Sequence, residues 1–98
     1  MNDTIWIHYA RPRTSWYELD EPQRAEHEAA WRSLDAAALD AGATTQGSFS
    51  VRGQSDYSTV QVWTFPSYDA VYDYWESKVE HGYAQWFDFA NQVGKSLP

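Results

Sequence analysis

An α+β fold in the order β-α-β-β-α-β is predicted for this 98-residue chain by three features of its sequence. The stretch Tyr57 to Phe65 is the longest run of β-branched and aromatic side chains and reads as a central strand. Two segments, from Asp20 to Gly42 and from Ser67 to Gly82, carry apolar residues at helical spacing between a capping residue and a terminating glycine. The stretch Thr4 to Tyr9 alternates Ile5 and Ile7 with Trp6 and His8, the period of a half-buried strand.

In chain order, the first strand is Thr4 to Tyr9, and Ala10 to Leu19 reads as a loop carrying Pro12, two Arg and the pair Trp16-Tyr17. Asp20 caps the first helix, with Pro22 in its first turn, and Gly42 stops it. Its inward stripe is His27, Trp31, Leu34, Ala38 and Ala41, with Ala30 and Ala37 beside it. Thr44 to Gly53 is the second strand, with Thr45, Phe49 and Val51 on one face and Gln46, Ser48, Ser50 and Arg52 on the other. Gly53 to Asp56 turns the hairpin into the central strand, whose aromatic face of Tyr57, Thr59, Gln61, Trp63 and Phe65 holds an amide in its middle. A buried Gln61 without partners would cost about 1–3 kcal/mol, so that face suggests a wet pocket or a satisfied polar core position. Pro66 ends the strand, Ser67 caps the second helix, and Tyr68, Val71, Tyr72, Trp75 and Val79 form its buried side. Gly82 to Leu97 fits either a helix or a strand; a fourth strand would close the open side of the sheet beside the first, and is the choice made. The result is a single ferredoxin-like domain over residues 1–98, an antiparallel sheet with both helices on one face.

Composition narrows the function. Six Trp, seven Tyr and four Phe are more aromatic surface than a core of this size absorbs, so part of it should line a cavity or a subunit interface. A net charge of −7 without a basic cluster argues against nucleic acid and anionic membranes as partners. The absence of Cys excludes disulfides, thiolate metal sites and a Cys nucleophile, and fits a reducing cytoplasm. Met1-Asn-Asp-Thr has no signal-peptide character, and no apolar run approaches a membrane span, so a cytoplasmic protein is expected.

With alternating strand directions, His8, His27 and His81 fall at one end of the domain, together with Arg52, Tyr57, Trp86 and the loop bearing Arg11, Arg13, Trp16 and Tyr17. Histidine is the side chain most easily tuned for proton transfer near neutral pH, so His8 and His27 are the candidate acid and base. Trp6, Tyr57, Gln61, Trp63, Trp75, His81 and Trp86 are the candidate substrate-binding residues. The sequence shows no i,i+4 His pair, no G-x-S-x-G elbow and no phosphate-cradling glycine loop, so neither metal, nucleophilic serine nor nucleotide chemistry is expected. The acidic pairs Asp35 and Asp40, and Glu26 and Glu28, read as a solvated helix face.

The element order and the large strand side chains resemble the dimeric α/β-barrel superfamily, in which two ferredoxin-like sheets pack face to face. Ser15-Trp16 with Leu19 and Gln23-Arg24, Val62-Trp63 at the end of the third strand, and Trp86-Phe-Asp-Phe89 resemble, more narrowly, the darcynin-like small proteins. The superfamily includes cofactor-free oxygenases acting on quinol-like polyketides, lactone isomerases and haem-degrading monooxygenases. The haem-degrading members use an Asn on the first strand and a Trp and an axial His on the second helix. Here His8 is the polar residue of the first strand, and Trp75 and His81 lie closer together than in that pattern. The resemblance therefore implies a homodimer that binds an aromatic or polyketide-like molecule between sheet and helices and acts on it without a bound cofactor, as an isomerase, cyclase or cofactor-free monooxygenase. A non-catalytic ligand-binding or dimerisation module is the alternative, and a haem-binding monooxygenase-like protein a further one.

Overall fold

The computed structural model describes residues 2–53 and 56–98, and the expected elements follow in order with two short helices added. They are β1 (Thr4–Pro12), α1 (Thr14–Glu18), α2 (Glu21–Asp40), β2 (Thr44–Ser50), β3 (Thr59–Phe65), α3 (Tyr68–Glu80), α4 (Tyr83–Trp86) and β4 (Phe87–Lys95). The strands form one antiparallel sheet in the order β2-β3-β1-β4, the ferredoxin-like arrangement. Register places Trp6 between Trp63 and Val93, and His8 between Gln61 and Asn91, all on the face the helices cover. Ile5, Ile7, Tyr9, Val60 and Val62 alternate onto the other face, which no helix covers.

Local chemistry explains the helix ends. The Asp20 carboxylate accepts from the Gln23 backbone N–H at 2.8 Å while the Gln23 side chain accepts from the Asp20 N–H at 3.0 Å, a reciprocal capping box. Ser67 accepts from the Ala70 N–H at 3.1 Å at the start of α3. Gly82, at φ 85°, supplies the left-handed turn that lets α4 start at once after α3.

Several expectations are corrected. The chain from Ala10 to Leu19 is no plain loop: β1 continues to Pro12 and α1 follows, because Trp16 turns inward to stack on Trp31 at 5.5 Å while Tyr17 stays exposed. β2 stops at Ser50, and a bulge between Thr45 and Ser48 puts Thr45 and Phe49 on opposite faces; Gly47 at φ 90° makes it, its N–H donating to the Thr45 hydroxyl. The hairpin turn expected at Gly53 to Asp56 includes Gln54 and Ser55, which lie outside the described residues. On α2, Ala37 and Ala41 are exposed, and Ala43, past the turn at Gly42, is buried instead. α3 is rotated from the expected setting: Val71, Tyr74 and Lys78 are buried, with Trp75 half-buried, whereas Tyr68, Tyr72 and Val79 are exposed. The rotation arises because α3 packs against α2 as well as the sheet, and the Tyr74 hydroxyl reaches Asp35 across that seam.

Two aromatic clusters form the core. Trp6, Trp63, Phe65, Val71 and Tyr74 make one; Ala10, Trp16, Trp31 and Tyr83 make the other, and Trp75 packs against both.

Candidate functional site

His8 sits where the two clusters meet, at 0% exposure, on the central strand of the sheet. Its Nδ1 lies 2.6 Å from Asn91 Oδ1 and its Nε2 2.7 Å from the Tyr83 hydroxyl. The Asn91 carbonyl oxygen only accepts, so the proton is on Nδ1 and Nε2 accepts from the tyrosine. Burial lowers the imidazole to about 4, opposed by the Asn91 bond and helped by the positive charge of Lys78. Trp6 stacks on the ring at 4.9 Å, and Trp75, Tyr83 and Phe89 enclose it at 5.3–6.2 Å. This is a neutral, fully engaged histidine joining β1, α4 and β4.

The other residues singled out in the sequence are brought to the same side of the sheet, with one exception, but they fill the space rather than wall a common cavity. Trp6 and Trp63 are buried in contact with Tyr74, and the Trp63 indole N–H donates to Gln61 Oε1 at 3.0 Å. That bond engages the amide oxygen of Gln61. His27 stands half-buried among Trp16, Trp31 and Trp86 at 5.5–6.1 Å, two rings removed from His8 through Trp31 and Tyr83. The expected gathering of the three histidines at one end is corrected: β1 runs on to Pro12, so His8 lies at mid-strand in the middle of the sheet, and the three do not share a pocket. Tyr57 is the exception: it packs against Tyr9 on the open face, because β3 begins only at Thr59.

His81 caps the end of α3 with an exposed ring whose Nδ1 donates to the Ser77 carbonyl at 2.8 Å. Among the described residues, no hydrogen bond or ion pair reaches its Nε2. The backbone below is held by the Trp31 indole N–H, which donates to the His81 carbonyl at 3.0 Å. Ser77 also borders a shallow groove of about 210 Å³ between α2 and α3, floored by Leu34, Ala37 and Ala38.

Among the described residues, hollows open on the helix side of the sheet. The smaller, about 140 Å³, lies between α3 and β4 and is bordered by Tyr68, Tyr72, Trp75 and Asn91. The larger, about 350 Å³, opens between α2 and the β2–β3 edge, with Arg32, Asp35, Ser48, Gln61, Lys78 and Tyr83 on its walls. Lys78 is a residue that sequence reasoning missed. It sits at 3% exposure with its ammonium 3.0 Å from the Tyr74 hydroxyl, 3.8 Å from Asp35 Oδ1 and 4.8 Å from the centre of the Tyr83 ring. The available signal was its place in the helical row Val71, Tyr74, Lys78, where a cation interrupts an apolar line. Among the described residues, no group of three or more His, Asp or Glu is placed to hold a metal ion.

No protein-family model matches the sequence, and comparison with curated proteins finds no match. Solved structures do match. A mutant chlorite dismutase from Candidatus Nitrospira defluvii superposes with a TM-score of 0.80 at 11% identity, covering 99% of this chain and 41% of its own. A novel haem-binding protein from Thermus thermophilus superposes with a TM-score of 0.78 at 16% identity, covering 99% of this chain and 41% of its own. The chain shares its ferredoxin-like fold with these two proteins. It spans about two fifths of the length of the two proteins compared. These likenesses correct the expectation of a cofactor-independent enzyme, because the proteins of like fold are chlorite dismutases and a haem-binding protein. No helix among the described residues is long and apolar enough to cross a membrane.

Proposed function

We propose that this chain binds haem, with His81 as the residue that would hold the iron. The observation that carries the proposal is the exposed imidazole whose Nδ1–H is tied to the Ser77 carbonyl, leaving Nε2 as the donor. A ligand histidine is commonly oriented in this way, by a hydrogen bond from its other ring nitrogen to a carbonyl. The fold likeness to a haem-binding protein and to chlorite dismutases supports the choice of group. His8 does not compete for the role, since both of its nitrogens are occupied.

The residues of the chain have defined tasks in this reading. Ser77 fixes the rotation of the His81 ring, Trp31 fixes the backbone beneath it, and Leu34, Ala37 and Ala38 offer apolar surface in the groove that Ser77 borders. Bound haem would supply a redox-active iron. Because the chain spans only part of the dismutases it resembles, the proposal stops at binding. Titration of the purified chain with haemin is expected to give a Soret band of a ligated species at a 1:1 end point. His81→Ala should lose that band and His27→Ala should keep it; a wild-type titration indistinguishable from free haemin would end the proposal.

The same reading includes a homodimer in the cytoplasm and, more narrowly, a relationship to the darcynin-like small proteins. Dimerisation is favoured by the uncovered sheet face, where Ile5 and Phe49 are 37% and 49% exposed beside half-buried Ile7, Tyr9, Val60 and Val62. A second copy would cover this apolar surface. Sedimentation equilibrium is expected to show a dimer at micromolar concentration and a monomer for Ile7→Glu. A wild-type chain that is monomeric across that range would refute it.

A further inference from the structure

We propose that the hollow between α2 and the β2–β3 edge is a carbonyl-binding site in which the Lys78 amine forms an imine with a small aldehyde or ketone. This inference is independent of haem binding and uses residues that the haem reading leaves aside.

The geometry supplies a nucleophile, a proton path and a space. Lys78 lies almost wholly inside the protein yet borders a hollow of about 350 Å³, a size at the lower end of the roughly 300–1,000 Å³ typical of small-molecule sites. Its ammonium has three N–H donors, of which one donates to the Tyr74 hydroxyl, while the ring faces of Tyr74 and Tyr83 surround the rest. Tyr74 in turn donates to Asp35 Oδ1 at 2.5 Å, and Asp35, with its side chain 31% exposed, borders the same hollow. Nζ–H, phenol and carboxylate thus form a relay from the buried nitrogen to solvent. Burial lowers the affinity of Lys78 for its proton, against the pull of Asp35, and burial together with Asp35 raises the Tyr74 phenol, which keeps the relay's middle member neutral. A desolvated lysine on the wall of a cavity is the usual starting point for Schiff-base chemistry.

The steps balance without an oxidant or reductant. The ammonium passes one proton through Tyr74 to Asp35, the freed lone pair attacks the carbonyl carbon as the C=O π pair moves to oxygen, and a second proton moves from the new N–C nitrogen to that oxygen to give the neutral carbinolamine. The C–O bond then breaks as the nitrogen lone pair forms C=N, the departing hydroxyl takes the proton held on Asp35 and leaves as water, and the protonated imine that remains faces the Asp35 carboxylate. Gln61, whose oxygen is occupied by Trp63, Ser48 and Arg32 border the hollow and carry N–H or O–H groups able to donate to the oxygens of the ligand.

The chain contains two lysines, Lys78 and Lys95, so the test carries its own control. Propionaldehyde with sodium cyanoborohydride at pH 7, followed by peptide mapping, is expected to alkylate Lys78 on the order of tenfold faster than the exposed Lys95. Tyr74→Phe should slow labelling at Lys78 and leave Lys95 unchanged, and Lys78→Met should leave Lys95 and the amino terminus as the labelled sites. Equal or slower labelling of Lys78 in the wild-type protein, or a rate unmoved by Tyr74→Phe, would overturn the proposal and leave Lys78 as a structural ion-pair partner.

Discussion

Between pH 6.5 and about 4 the protein is expected to lose on the order of 3 kcal/mol of folding stability through His8 alone. The folded imidazole titrates at about 4, below its ordinary value of 6.5, so the unfolded chain binds the proton first as pH falls. Stability from this group is fully present above pH 6.5 and falls until the folded histidine also protonates, below about 4. Protonation inside the fold would place a charge among Trp6, Trp75, Tyr83 and Phe89 and give Nε2 a proton where it now accepts from Tyr83. Denaturant unfolding at pH 7.5 and pH 4.5 measures the effect, with His8→Gln as the comparison. Other carboxylates titrate in both proteins, so the difference between the two pH dependences is the readout, and parallel curves would show that His8 contributes nothing. At pH 7.5 His8→Ala should in addition lower stability by about 1–3 kcal/mol, since Asn91 and Tyr83 lose their partner.

Asp35→Ala is expected to destabilise the fold by on the order of 3 kcal/mol, the lower end of the range for a broken buried ion pair, because Asp35 is itself partly exposed. The loss falls on Lys78, left as a buried ammonium beside the Tyr74 hydroxyl and two ring faces. The double variant Asp35→Ala with Lys78→Met removes the stranded charge and should recover most of the stability, since Met fills the same space without a charge to desolvate. Thermal or urea unfolding of the two singles and the double completes the cycle. Additive losses would show that the two groups are not coupled.

How far the molecule was legible from its residues depended on the distance over which each feature is decided. The Asp20 cap, the Ser67 cap and the stop at Gly42 involve neighbours in the chain, and all were readable; the return bond from Gln23 that completes a capping box was not read. The alternation in β1 and β3 put Trp6, His8, Gln61 and Trp63 on one face, and the structure keeps them there. The β2 bulge was missed because one glycine at positive φ shifts every later side chain by one place. The setting of α3 was missed because the spacing of Tyr68, Tyr72, Trp75 and Val79 also forms an apolar stripe, and the helix resolved the choice by packing on two elements at once.

What the sequence by itself determined is the element order and hence the ferredoxin-like topology: a strand period of two, two capped helices and a last segment that an open sheet edge requires. It also set the helix directions, which put His27 early in α2 and His81 at the end of α3, whereas His8 lies in mid-sheet because β1 runs on to Pro12. Tertiary structure alone decided what each histidine became. His8 is neutral because burial takes it out of water, and its nitrogens are engaged by Asn91 and Tyr83, more than seventy residues away in sequence; His81 keeps Nε2 available because its helix ends at the surface. It alone decided that Lys78 is buried, since the cost of burying an ammonium is offset by Asp35 on the other helix, by the Tyr74 hydroxyl and by the rings of Tyr74 and Tyr83. Protonation and ligand availability depend on through-space neighbours and the local dielectric, which no spacing along the chain records.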